Sequence, residues 1–524
     1  MNIKQAKEEI IHTVAAYLAK DEAGEYRIPP IRQRPILLIG PPGIGKTQIM
    51  EQIARECQIA LVSYTMTHHT RQSAVGLPYI QKEEFEGKEY SVTEYTMSEI
   101  IASVYRKMKE TGLSQGILFL DEINCVSETL APAMLQFLQC KTFGNQAVPA
   151  GWIIVAAGNP PEYNKSVKEF DLVTLDRIRH IFLKEDYKVW REYARENNLH
   201  PALLSYLELR QKNFYRIEAD VEGMQYVTAR GWEDFSSLLY VYDSLKLPVE
   251  EEIVYEYLHH RDVAEDVAAY IDLYRKYQDD YGIEDILSGK VRANVYARLE
   301  NAVFDERLTV VNLLLDGLMQ HFLKVQEERK LTDEYYDFLK KFKVRMDTQE
   351  ERKKETGETP SQEVLVPGKL YRELAAEWEE EWRQRETAGL HAPRDVSLHK
   401  KLSEMIKRHA PADSTADSQE DLGEARDGFG GRKAFEEAKA GFDSQRAVLE
   451  IAEKGAGEAL EHAFDFVEKA FAKGEEIAVF VTELTLAKPA SEFLLEYDCE
   501  RYRTYSKELL IGTRKGELLR ELER

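Results

Sequence analysis

Cysteine is scarce in this chain, and what little there is stands apart. Cys57, Cys125, Cys140 and Cys499 are the four cysteines of 524 residues, with no C-x-x-C pair among them. That spacing offers neither a zinc site nor a disulfide framework, so reduced core thiols are expected. His68-His69 has no neighbouring cysteine and no H-E-x-x-H pattern, which leaves no metal-ligand set of the zinc type. No apolar run approaches the length that spans a bilayer. The first residues, MNIKQAKEEIIHTVAAYLAK, carry acidic side chains inside an apolar pattern and no small-residue cleavage site. They read as an amphipathic helix rather than a signal peptide, and a soluble cytoplasmic protein is expected. Positive charge is also in deficit: 70 basic against 93 acidic residues give a net charge of −23. The balance speaks against a general affinity for nucleic acid or anionic lipid, while local basic patches remain open.

What is present organises itself around Pro35 to Thr47, PILLIGPPGIGKT. The run Ile36-Leu37-Leu38-Ile39 suits a strand buried on both faces. Gly40, Gly43, Gly45, Lys46 and Thr47 fit G-x-x-x-x-G-K-[ST], making Gly40-Pro41-Pro42-Gly43-Ile44-Gly45-Lys46-Thr47 a candidate phosphate cradle. Such a loop works through its backbone: residues without a Cβ let successive N–H groups curl round a phosphate, and the following helix points its positive end at the same charge. Lys46 would reach the β/γ-phosphates and Thr47 would offer a hydroxyl to Mg²⁺. A glycine-rich turn of no consequence is the bland alternative. The position between a predicted strand and a predicted helix, Gln48 to Cys57, decides for nucleotide binding.

A second apolar run, Ile59 to Tyr64, continues a βαβ start, and Leu77 to Thr96 alternates around Glu86-Gly87-Lys88 as an inserted hairpin. A helix over Ser98 to Thr111 precedes GILFLDEIN, where four apolar residues end in Asp121 and Glu122. Ligands of doubly wound sheets sit at the carboxyl ends of the strands, so this acidic pair should land beside the phosphates. Asp121 would join Thr47 in the Mg²⁺ shell and Glu122 would take a proton from the attacking water. After a helix over Ser127 to Gln139, the buried strand Gly151 to Ala157 ends in Gly158-Asn159-Pro160. Asn159 could orient water or the γ-phosphate, although asparagine at a strand end is by default a turn residue. Arg177 and Arg179 follow in LDRIRH; spacing alone makes them surface arginines.

Taken in order, GPPGIGKT, ILFLDEIN, AAGNPPEYN, LDRIRH and TARGWEDF (Thr228 to Phe235) resemble an AAA+ ATPase, and within that superfamily the MoxR group near the dynein-related branch. The resemblance spans roughly residues 30 to 290. It implies a P-loop α/β core with a parallel sheet and a helical lid, with ATP and Mg²⁺ as cofactors. It also implies that Asn159 is the sensor-1 polar residue, that Arg177 is the finger reaching into a neighbouring subunit's site, and that Arg230 is the lid's sensor-2 arginine. A ring, usually of six, comes with it. MoxR relatives commonly carry phenylalanine directly after the finger arginine; here Ile178 stands there and Arg179 follows, so either arginine could be the finger.

Two near-matches fall away. Asn164-Lys165-Ser166-Val167 lacks the aspartate of the guanine-reading N-K-x-D, which favours ATP over GTP. His260-Arg261-Asp262 echoes a kinase loop, but Val267 stands where the asparagine should be. From Tyr187 the apolar spacing of three and four residues predicts packed helices. Ala410 to Arg432, rich in Ser, Asp and Gly, reads as a mobile linker. The expected organisation is 1–34 N-terminal helix and connector, 35–183 nucleotide-binding domain, 184–299 helical lid, 300–409 all-α extension, 410–432 linker and 433–524 C-terminal helices. No internal repeat is evident.

The sequence thus leads to an ATP hydrolase that remodels, assembles or matures a protein client. There is no D-x-S-x-S adhesion motif in the chain, and the resemblance suggests a separate von Willebrand factor A domain protein as partner. A nucleic-acid-directed motor is the alternative that net acidity disfavours. A nucleotide-gated scaffold with slow hydrolysis is the other, which would have no need of Glu122 or Asn159.

Overall fold

The run Ile36–Ile39 forms strand β1, and all four of its residues are buried. It lies inside a sheet covered on both faces, which is why the run shows no polar alternation. The structure, a computed structural model, describes residues 1–68, 70–143, 146–163, 175–220, 223–356, 367–411, 429–471 and 474–511. The chain divides into two compact units. One comprises Met1–Trp190, Phe214–Trp232 and Glu381–Ala392; the other comprises Arg191–Asn213, Glu233–Glu380 and Pro393–Arg524.

In the first unit, helix α1 (Ile3–Leu18) precedes β1, helix α2 (Lys46–Cys57) follows it, and strand β2 is Ala60–Thr65. Then come α3 (Arg71–Val75), a ribbon of β3 (Pro78–Phe85) and β4 (Lys88–Tyr95), α4 (Glu99–Thr111) and β5 (Gly116–Asp121). Helix α5 (Ala131–Cys140), the short pair β6 (Thr142–Phe143) and β7 (Gln146–Ala147), β8 (Trp152–Gly158) and β9 (Arg179–Phe182) complete the core. The five-stranded sheet runs β2-β5-β8-β1-β9, every pair parallel. From β1 the chain crosses to the far edge before it returns, which opens a crevice at the carboxyl end of β1, the kind of switch point where such sheets bind ligands.

Alternate residues of the strands face opposite layers. Leu37, Leu118, Leu120 and Ile154 pack with Ile100, Val104 and Phe137 of α4 and α5. Leu38, Phe119, Ile153 and Val155 pack with Ile10, Val14, Met50 and Ile53 of α1 and α2. Burying each such side chain contributes about 1.5–3 kcal/mol. Helix α1 starts with a capping box between Asn2 and Gln5, and its buried Ala6, Ile10, Val14 and Tyr17 repeat at helical spacing. The N-terminal helix is therefore part of this core.

The β3–β4 ribbon is the predicted hairpin, closed by Glu86 and Gly87 with positive φ. Strand β9 starts at Arg179, near the end of LDRIRH, and runs on to Phe182, where the sequence suggested no strand. A second antiparallel ribbon, β10 (Arg216–Asp220) with β11 (Gly223–Val227), interrupts a stretch whose spacing predicted helices throughout. Arg216 to Asp220 alternates polar and apolar residues, a strand signal that the helical spacing on either side outweighed.

The second unit is helical among its described residues. Helices Phe304–Thr356, of 53 residues, and Phe429–Phe471, of 43, pack along each other. The first runs through DTQEERKKET, a stretch without a single apolar residue to mark a helix by its spacing. Tyr335, Phe338, Phe342, Tyr371 and Leu402 form one of its cores, with the Tyr335 and Tyr371 hydroxyls donating to the carbonyls of Ala438 and Ile406. Most of the expected linker, 412–428, lies outside the described residues. No helix among the described residues is long and apolar enough to cross a membrane.

Candidate functional site

The loop after β1 reaches α2 through Gly43 at φ +69° and Gly45 at φ +92°, left-handed positions that favour glycine. A Cβ on Gly43 would meet the Thr228 side chain at 2.8 Å. No side chain caps the first turn of α2, so its N–H groups face the loop unclaimed by a capping oxygen. Lys46 is buried, and its ammonium donates to the carbonyls of Gly40 (2.9 Å) and Pro41 (2.8 Å) and to Asn159 Oδ1 (2.8 Å). Burial pushes its pKa down to about 8, helped by the Arg230 guanidinium and opposed by the Asp121 and Glu122 carboxylates.

The acidic pair stands at the end of β5. Asp121 Oδ2 accepts from Thr47 Oγ1 at 2.8 Å, and Asp121 Oδ1 accepts from the Glu122 N–H at 2.9 Å. Glu122 itself sits at φ +55°, a left-handed turn that swings it out of the strand direction at a cost of about 1–2 kcal/mol. Its Oε2 accepts from Thr67 Oγ1 at 2.9 Å. At the end of β8, Asn159 gives its side-chain oxygen to Lys46 and its carbonyl to Asn124 Nδ2, 2.7 Å away. Three neighbouring strands therefore deliver Lys46, Thr47, Asp121, Glu122 and Asn159 to one place.

Gly40, Pro41, Pro42 and Ile44 line the same loop. Tyr215 donates to the Pro42 carbonyl at 2.9 Å, and the Arg230 N–H donates to the Gly43 carbonyl at 3.1 Å. Arg230 thus enters the site at the start of helix Ala229–Leu245, its side chain exposed. Arg177 and Arg179 do not join the cluster. Arg177 is exposed and donates to Gln139 on α5, whereas Arg179 pairs with Glu9 and Thr13 on α1.

Sequence reasoning passed over Thr67, Asn124, Tyr215 and Thr228. Asn124 was within sight, three residues past Asp121 in the same motif. Thr67 and Tyr215 carry no local signal, because only the fold brings Thr67 to Glu122 and Tyr215 to the loop.

With these groups at the carboxyl ends of β1, β5 and β8, comparison with known families is decisive for this part of the chain. Residues 35–178 match the AAA domain (dynein-related subfamily). The first unit therefore contains an AAA domain, a nucleotide-binding ATPase fold, and the AAA+ resemblance holds at that level. No curated protein compared with the chain matches it. The residues present fit a nucleotide with its divalent cation. The uncapped first turn of α2, the two left-handed glycines and the Lys46 ammonium suit a polyphosphate, and the Thr47 hydroxyl with the Asp121 carboxylate is an oxygen donor set suited to Mg²⁺.

Proposed function

We propose that the chain is a ring-forming AAA+ ATPase that binds ATP with Mg²⁺ and uses hydrolysis to remodel or mature a protein client. The observation that carries this reading is the convergence of Lys46, Thr47, Asp121, Glu122 and Asn159 on one loop. The α2 amides and Lys46 would bind the β/γ-phosphates. Thr47 and Asp121 would hold Mg²⁺, which supplies charge neutralisation at the phosphates. Glu122, presented on its left-handed turn, would accept the proton of the attacking water. Asn159 would orient that water or the terminal phosphate, and Arg230 would add positive charge from the far side of the loop. Arg177 is the better candidate for a finger acting on a neighbouring subunit, since Arg179 is tied to α1 of its own chain.

The client is proposed to be protein because of the β3–β4 ribbon. Its register sets Tyr79, Phe85 and Tyr90 on one face, and all three are about half exposed; Ile80, on the other face, is 77% exposed. Apolar side chains held out on a two-stranded arm suit an unfolded or extended polypeptide. A MoxR-type assignment, a six-membered ring and a von Willebrand factor A domain partner complete the proposal. Measured turnover of ATP with and without Mg²⁺, together with co-purification of partners, tests it. A protein that neither binds nor hydrolyses ATP would end it. Acceleration by DNA rather than by polypeptide would return the nucleic-acid motor.

A further inference from the structure

Asn159 is followed by Pro160 and Pro161, neither of which has a backbone N–H. Strand β8 ends at Gly158, so the Asn159 carbonyl lies beyond the ladder. A carbonyl in this position needs a donor from elsewhere. Asn124 supplies it. The residue lies in the short helical turn Ile123–Cys125 just after Glu122, is only 5% exposed, and donates from Nδ2 to the Asn159 carbonyl at 2.7 Å. Its Oδ1 fills the space in front of Gly158, where a Cβ would come within 2.4 Å of it. The same Asn159 uses its own Oδ1 as an acceptor for Lys46.

We propose that Asn124 is the positioning residue of Asn159. It clamps the Asn159 backbone between the acidic strand end and the proline pair, so the side chain can exchange Lys46 for another partner without the strand end moving. The clamp joins the turn that carries Glu122 to the residue that faces Lys46, so base and sensor keep one spacing. Gly158 is glycine because the Asn124 amide occupies the place of its Cβ. This assignment rests on the function proposed above.

Asn124→Asp keeps the size of the side chain but presents a carboxylate that cannot donate, and Asn124→Ala removes the clamp altogether. Both should lower kcat about tenfold or more while leaving the affinity for ADP within about twofold of wild type. Binding of a slowly hydrolysed ATP analogue, measured in the Glu122→Gln background, should weaken. The double variant Asn124→Ala/Asn159→Ala should turn over no more slowly than Asn159→Ala alone, because the clamp acts only through Asn159. Additive losses, or an equal weakening of ADP and the ATP analogue, would overturn the assignment. A nucleotide-free measurement stands beside these. Gly158→Ala should lower the thermal midpoint of the empty protein, and Asn124→Ala should remove most of that loss. Equal losses with and without Asn124 would overturn the clamp even if the protein proved to bind no nucleotide, whereas wild-type protein without any ATP binding would defeat the functional reading and not the clamp.

Discussion

Thr47 Oγ1 donates to Asp121 Oδ2 across 2.8 Å, joining the first turn of α2 to the end of β5. The two oxygens are the pair that would share a divalent cation, and together they give the site a hard, oxygen-only donor set. Asp121→Asn leaves the hydrogen bond possible and removes the charge. Turnover should then fall by about 10²-fold or more and require far more Mg²⁺ for half-maximal rate, while Thr47→Ser stays near wild type. Turnover of Asp121→Asn with unchanged Mg²⁺ dependence would remove Asp121 from the metal shell.

Binding and chemistry should separate at two other residues. Lys46→Ala deletes the buried cation of the loop and should abolish ATP binding. Glu122→Gln keeps its shape and its contact to Thr67 while losing the base, so it should bind ATP with near-normal affinity and hydrolyse it at least about 10²-fold more slowly. Calorimetry and phosphate release on both variants decide the matter. Wild-type rates from Glu122→Gln would leave the reaction without the assigned base.

How much of this was legible beforehand follows from how local each signal is. The phosphate loop, the acidic pair and Asn159 each end a fully buried apolar strand, and burial on both faces writes itself into the chain as an unbroken hydrophobic run. Strand β9 is only four residues long, with two of them half-buried, and carries no such run. The β10–β11 ribbon forms a separate two-stranded sheet of five-residue strands, and the alternation of Arg216 to Asp220 was too short to stand out among the helical spacings around it. Thr67 and Asn124 take their meaning from contacts 55 and 35 residues away. Arg179 shows the same limit: its tie to Glu9 on α1 is a long-range pairing that no spacing rule contains.

In the helical unit, Asp316 sets a pH dependence. Burial lifts its carboxyl to about 7, with the Glu208 carboxylate adding to the rise, while the hydroxyl of Tyr274, donating at 2.6 Å, and the Arg195 guanidinium work against it. In the unfolded chain the group titrates near its ordinary value of about 4. The folded state therefore keeps a proton that the unfolded state has released between about pH 4 and 7. Its contribution is complete below that window and lost as pH rises through it. Asp316→Asn should gain stability over wild type progressively from pH 4 to 7 and hold a constant advantage of about 1–3 kcal/mol above, the full shift being reduced by the partial exposure of the side chain. Thermal midpoints across pH 4 to 9 test this. A difference that does not change with pH would mean that Asp316 is ionised throughout.

The two arginines after the core strands should part company in solution. Arg179 anchors β9 to Glu9 and Thr13 of α1, so Arg179→Ala should lower the thermal midpoint and loosen the N-terminal helix. Arg177 is exposed and held only by Gln139 among the described residues, so Arg177→Ala should leave the midpoint unchanged. If Arg177 serves a neighbour's site, its loss removes positive charge from the transition state there, an effect of roughly 10³ to 10⁵ in rate for arginine fingers generally. Turnover per subunit should then rise with protein concentration, and Arg177→Ala should bind ATP yet fail to hydrolyse it. A mixture of Arg177→Ala with Lys46→Ala should regain activity, because a subunit with an empty loop still carries an intact arginine for the working loop beside it. A mixture of Arg179→Ala with Lys46→Ala has no such rescue to offer beyond the activity Arg179→Ala already possesses. With subunit exchange first demonstrated by pull-down of a tagged variant, turnover that neither depends on concentration nor recovers on mixing would show that each subunit completes its own site.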